Sequence, residues 1–153
     1  MSTGVNSSEQ TAGGAAADGG VLTAIDHVGI VVDDLDAAVG FYEQTFGAKV
    51  VHRERVEKDG VEEALLAAGG NYVQLLTPTR EDSAVAKWLA KHGSGLHHVG
   101  YRVDSCQVAL DRAVAAGVRA LDAAPRPGSR GTTVAFLHPK SAYGTLIELV
   151  QEG

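Results

Sequence analysis

The chain carries a copy of part of itself. Shifted by 71 positions, Ile25–Asp33 falls on Leu96–Asp104 with five identities in nine: His27/His98, Val28/Val99, Gly29/Gly100, Val32/Val103 and Asp33/Asp104. A second match, at a shift of 74, lays Tyr72-Val73-Gln74-Leu75-Leu76 on Leu146-Ile147-Glu148-Leu149-Val150. The difference between the two shifts needs only short insertions in loops. A duplicated segment of this size folds into two copies of one supersecondary unit. One such unit cannot cover both faces of its own sheet, so the two must share a structure.

The hydrophobic pattern says what the unit is. Ala24–Val32 is rich in β-branched residues and reads as a strand. Asp34 can cap a following helix in which Leu35, Ala38, Val39, Tyr42 and Phe46 recur at helical spacing, with Gly47 as the stop. Residues 48–56, 61–67 and 71–76 read as three strands, the last two separated by turn residues. A helix over about 82–92 follows, with Val85, Trp88 and Leu89 inward. The order then recurs: a strand over 95–103, a helix capped by Asp104 or Ser105, and strands near 118–122, 132–138 and 144–150. The expected fold class is α+β, with two tandem βαβββ modules forming a cup-shaped mixed sheet around a shared site. Module 1 spans about 24–77, a linking helix about 81–93, and module 2 about 95–151.

Residues 1–22 precede this domain (23–151) and are expected to be a flexible tail, because their Gly, Ala, Ser and Thr offer almost nothing to bury. The charge is unevenly spread. Residues 1–48 hold seven acids and no Lys or Arg, so the net −6 is −7 from this part and +1 from the rest. This acidic balance argues against a nucleic-acid partner, and no segment is long and apolar enough for a membrane helix. One cysteine, Cys106, excludes an internal disulfide and a thiolate-rich zinc site. The expected compartment is the cytoplasm.

Four polar residues stand inside the repeated strands: His27 and Gln74 in module 1, His98 and Glu148 in module 2. Each pair occupies equivalent positions, so both modules should aim them at one pseudo-twofold centre. Strict alternation along a strand turns His97 and His98 to opposite faces, and His98 is the one that matches His27. A lone strand histidine is usually a hydrogen-bonded core residue. A carboxylate and an amide among Leu and Ile are harder to explain that way, since buried charges are paired or bind metals. Two imidazoles, an amide oxygen and a carboxylate suit a divalent ion of borderline or hard character; Co²⁺ or Mn²⁺ is the expected ion, and Zn²⁺ or Ni²⁺ would also fit.

With these ligand positions the duplication resembles the vicinal oxygen chelate superfamily, which includes glyoxalase I and the extradiol dioxygenases. Several stretches are similar to its methylmalonyl-CoA epimerase family: Ile25–Ile30, Pro78–Ser83, Val85–Lys91, Gly95–His98 and Phe136–Lys140. The likeness covers about residues 23–151. It implies a glutamate base in a Gly-Val-x-Glu-Ala context, which falls on Glu63 and not on Glu62; periodicity alone does not choose between them. It further implies an acyl-CoA substrate, a homodimer, and epimerisation at C2 of methylmalonyl-CoA by proton removal and return. Glu63 is then the first base. Glu148 is the candidate for the second acid-base group, although a metal-bound carboxylate is a weaker base. Arg126, Arg130 and Lys140 are basic residues that could meet CoA phosphates. After His138-Pro139-Lys140 the chain departs from the family, with Ser141 where an Asp is common. The alternatives are a glyoxalase-I-like isomerase acting on a glutathione hemithioacetal, an Fe(II) dioxygenase, or a metal-free drug-binding protein of the same fold.

Overall fold

The structure is a computed structural model that describes residues 19–153. The tail expected over 1–22 therefore lies outside the described residues as far as residue 18. From there the chain is already engaged: the Gly19 carbonyl accepts a hydrogen bond from Arg112 at 3.1 Å.

Module 1 consists of β1 (Leu22–Val31), α1 (Leu35–Phe46), β2 (Val50–Val56), β3 (Val61–Ala68) and β4 (Asn71–Pro78). A linking helix α2 (Ala84–His92) leads to module 2, which comprises β5 (Gly95–Val103), α3 (Cys106–Ala115), β6 (Arg126–Pro127), β7 (Thr133–Leu137) and β8 (Ile147–Gln151). The helix starts follow from capping: Asp34 accepts from Ala37 N, Ser83 from Ala86 N and Ser105 from Val108 N. Gly47 ends α1 in the left-handed conformation, at φ 64°.

All eight strands form one mixed sheet in the order β2-β3-β4-β1-β5-β8-β7-β6. The two modules meet at the antiparallel β1–β5 pair, and each completes its half with a parallel pair, β1–β4 or β5–β8. Alternation divides the strands between two faces. On one face Ala64, Leu66 and Leu75 pack with Leu35 and Val39 beneath α1, and Ala135, Leu137 and Leu149 pack with Cys106, Ala109 and Leu110 beneath α3. The other face carries Glu63, Gln74, Leu76 and Glu148 and lines a cavity.

Two sequence expectations are corrected. The strand near 118–122 is reduced to a single bridge between Ala120 and Leu137, and the paired segment is Arg126–Pro127. The Asp122 carboxylate takes the Phe136 N–H at 2.8 Å, where a neighbouring strand would offer a carbonyl, and the proline at 125 follows closely. Helix α2 has no buried residue. Instead of anchoring beneath the sheet, Trp88 stacks on His92 and meets the edge of His97, while Val85 lines the cavity.

The register explains the repeated glycines. Gly29 lies between Gln74 on β4 and His98 on β5. Gly100 lies between His27 on β1 and Glu148 on β8. The two rows exchange under the pseudo-twofold. Each histidine ring lies over the glycine of the facing strand: a Cβ on Gly29 would come within 2.1 Å of His98 Cε1, and one on Gly100 within 2.3 Å of His27 Cε1. Gly100→Ala is therefore expected to displace the ring and cost about 1–3 kcal/mol. Gly40→Ala, inside α1 and meeting nothing, should stabilise by about 0.5–1 kcal/mol. Urea denaturation of both variants checks the contrast.

Candidate metal and proton-transfer site

The two rows bring three ligand atoms to one point. His27 Nε2 lies 3.0 Å from His98 Nε2 and 2.9 Å from Glu148 Oε2, and His98 Nε2 lies 3.1 Å from the same carboxylate oxygen. Donors about 2.1 Å from an ion and at right angles around it are about 3.0 Å apart, which is the spacing found. All three side chains are largely buried, at 6%, 3% and 12% exposure. Gln74 is buried in the adjoining row. Its Nε2 donates to Glu63 Oε2 at 2.5 Å, and its Oε1 is buried without a hydrogen-bond partner. An unsatisfied amide oxygen is costly to bury, and a cation beside the three converging donors would satisfy it. The residues present thus fit a divalent ion.

The charges are consistent with that arrangement. Burial acts to lower the His27 pKa, but hydrogen bonds to Asp26 and Glu148 and the charges of both outweigh it, raising it from 6.5 to about 9. Burial acts to raise Glu148, yet the same bonds to His27 and His98 hold it down at about 2. Glu63 goes the other way. Burial pushes its pKa up, the polar neighbours Ser129 and Gln74 offset part of this, and the charges of Glu148 and Glu54 add to the push. Two carboxylates in one cavity are driven apart, the pattern that separates an acid-base group from a permanently ionised one.

The cavity, about 310 Å³, lies at the small end of the range for small-molecule sites. Val61, Leu76, Val134 and Phe136 give it apolar walls, while Glu63, Gln74, His98 and Glu148 supply its polar atoms. Glu63 is 4% exposed and faces this space; Glu62 faces away and pairs with Arg53 at 3.1 Å. The choice that periodicity left open is thus made by the fold. Of the three basic residues, Arg126 is on the cavity wall, bonded to Asp122 at 3.0 Å. Arg130 instead turns to Asp26 at 2.8 Å, and Lys140 is exposed in the turn Pro139–Ser141.

His97 departs from its sequence expectation. It does not face away from His98: the two Nδ1 atoms are 2.8 Å apart, and His97 lines the cavity. The cause is a β-bulge. Gly29 faces His98 and Ile30 faces Leu96, which leaves His97 as the extra residue. Burial, with the nearby His98 second, lowers the His97 pKa to about 4, so this ring is neutral. Asp26, which the sequence reading did not single out, is fully buried with Oδ2 2.8 Å from His27 Nδ1. The signal for it was a charged residue inside an apolar strand, adjacent to a candidate ligand.

Known proteins share this architecture. The profile of the Glyoxalase/Bleomycin resistance protein/Dioxygenase superfamily matches residues 26–136. The chain is 38% identical over 129 residues to the ethylmalonyl-CoA/methylmalonyl-CoA epimerase of Cereibacter sphaeroides, a match covering 83% of this chain and 96% of that one. It is 34% identical over 131 residues to the mitochondrial methylmalonyl-CoA epimerase of Homo sapiens, covering 85% and 74%. A solved structure of a Streptomyces coelicolor methylmalonyl-CoA epimerase variant, in complex with 2-nitronate-propionyl-CoA, is 47% identical. It superposes with a TM-score of 0.84 over 86% of this chain and 99% of that one. The chain belongs to the glyoxalase/bleomycin resistance protein/dioxygenase superfamily and, within it, to the methylmalonyl-CoA epimerase family.

Proposed function

We propose that the protein is a metal-dependent epimerase interconverting (2R)- and (2S)-methylmalonyl-CoA, with His27, Gln74, His98 and Glu148 holding the ion and Glu63 acting as base. The observation that carries this reading is one apolar cavity in which three converging donors and an unpartnered amide oxygen lie beside a buried, easily protonated glutamate. The acyl-CoA ligand and the epimerase activity of the similar proteins supply the substrate class.

The chemistry needs help because a proton next to a thioester is too weakly acidic for an unaided carboxylate. A bound divalent ion supplies positive charge at the thioester oxygen, where negative charge develops as the C2 proton leaves. Co²⁺ or Mn²⁺ is the proposed ion, and nitrogen and oxygen donors without thiolate admit both. Glu63 receives the proton at Oε1, the buried oxygen without a hydrogen-bond partner, while Gln74 Nε2 fixes the other oxygen. Its raised pKa makes it a stronger base than an exposed carboxylate. The apolar walls formed by Val61, Leu76, Val134 and Phe136 offer water no hydrogen-bond partner beside the reacting carbon. Inversion requires return of a proton to the other side of C2, and Glu148, from the other module, is the second group in this reading. As a carboxylate it takes the C2 proton of one epimer while protonated Glu63 returns one to the opposite face, and the reverse direction exchanges the two roles. Two imidazoles hold it ionised, so its first task is as a ligand. The family likeness also supports a homodimer.

Glu63→Gln should reduce deuterium exchange at C2 of methylmalonyl-CoA by about 10²–10⁴-fold while leaving Co²⁺ binding in place. Exchange at the wild-type rate would remove Glu63 from the mechanism. Chelation should abolish exchange in the wild type and added Co²⁺ restore it; exchange insensitive to metal would overturn the reading.

A pH dependence follows for the chelated protein. His27, with its raised pKa, contributes stability that is complete below about 6.5 and lost as the pH rises through about 9. Asp26 and Glu148 are lowered, so their contribution is present above their ordinary range and lost on acidification. His97, lowered to about 4, likewise contributes above 6.5 and loses this on acidification. The melting temperature should thus peak at about pH 6.5 and fall towards about pH 9 as His27 loses its proton. Saturating Co²⁺ should remove the alkaline fall, because an ion replaces the proton on His27. Thermal melts from about pH 4 to 9.5, with chelator and with Co²⁺, read both.

A further inference from the structure

The contacts behind the two imidazoles have a symmetry of their own. In the β1–β5 ladder Ile25 faces Tyr101 and His27 faces Gly100, so Asp26 is an extra residue, just as His97 is between Leu96 and His98. The positions 26 and 97 differ by 71, the same shift that relates His27 to His98. Each module therefore places a β-bulge immediately before its histidine. A regular strand would turn residues 26 and 97 to the opposite face; the bulge re-aims them alongside the next side chain. Each then meets the Nδ1 atom of that histidine at 2.8 Å, on the side of the ring away from the converging Nε2 atoms.

We propose that Asp26 and His97 are positioning residues, each accepting the Nδ1 proton of the following histidine and so fixing both rings with Nε2 turned to the ion. The proposal rests on the reading of His27 and His98 as metal ligands. A ring that donates through Nδ1 has its lone pair on Nε2, and a partner behind it sets the angle at which that lone pair is presented.

The two positioning residues are not equivalent in strength. Asp26 is a carboxylate and is held from several elements. Arg102 donates to Oδ1 from Nε at 3.0 Å and from Nη2 at 2.9 Å, and Arg130 donates to Oδ2 at 2.8 Å. Arg102 also reaches the Gly70 carbonyl, and Arg130 stacks on Tyr72 with 4.8 Å to the ring centroid. The carboxylate cannot rotate away from His27 without breaking this set. His97 offers only an imidazole nitrogen, and its ring is backed by the edge contact with Trp88 at 5.0 Å. Asp26 should consequently matter more for metal affinity than His97.

The test uses the full-length protein and Co²⁺ as the probe, read by calorimetric titration and by the Nδ1–H proton resonances of the two histidines in the Zn²⁺-loaded protein. Asp26→Asn should weaken Co²⁺ binding about 10–100-fold and lose the slowly exchanging His27 Nδ1–H signal while keeping that of His98. His97→Phe, which keeps an aromatic ring against Trp88, should lose the His98 signal and keep that of His27, with a smaller loss of affinity. Because Asp26→Asn leaves two guanidinium groups without their carboxylate and can unfold the chain, His97→Phe carries the test independently. A folded His97→Phe protein with wild-type Co²⁺ affinity and an intact His98 Nδ1–H signal would overturn the proposal. Failure of the wild type itself to bind Co²⁺ would instead overturn the ligand assignment.

Discussion

The antiparallel pairing of β1 with β5 joins the modules along a ladder from Leu22/Val103 to Val31/Gly95, and the position of every proposed ligand depends on it. Only in this register does His27 stand beside Gly100 and, one strand further, Glu148, while His98 stands beside Gly29 and Gln74. A slip of one residue would turn both histidines to the helix-covered face and destroy both rows at once. The bulges at Asp26 and His97 and the close fit of each ring over a glycine resist such a slip. The same features that pin the register also shape the site.

A cluster of buried ionisable groups is expensive unless each has a partner. Here the partners are shared. Asp26 is matched by Arg102, Arg130 and His27, and Glu148 by His27 and His98. Glu63 stands apart, with neighbouring carboxylates and an amide instead of a cation. That difference sends Glu148 to the acidic end of its range and Glu63 in the opposite direction. One fold thereby supplies both a permanent anion for binding a cation and a carboxylate suited to moving a proton.

Much of this was legible in the strand pattern. The repeat, the order of the elements and the four polar residues His27, Gln74, His98 and Glu148 all follow from internal identities and from polar residues in apolar strands. The interrupted second strand of module 2 was not, because a side chain, Asp122, takes a backbone donor there and no periodicity signals it. The place of α2 was also missed. Its apolar residues at helical spacing imply a buried face, but they meet the cavity edge and the rings of His92 and His97.

By itself the sequence determined that the chain is a duplication and that each copy offers one histidine and one amide or carboxylate from equivalent strands. Periodicity and identity are properties of neighbouring residues, so they survive in one dimension. Which of Glu62 and Glu63 enters the cavity, why His97 joins His98, and how Asp26 is held by arginines 76 and 104 positions away were decided by the tertiary structure alone. A bulge shifts the alternation of a strand by one residue, and its presence depends on the partner strand. Contacts across such distances in the chain exist only after the two modules have closed on one another.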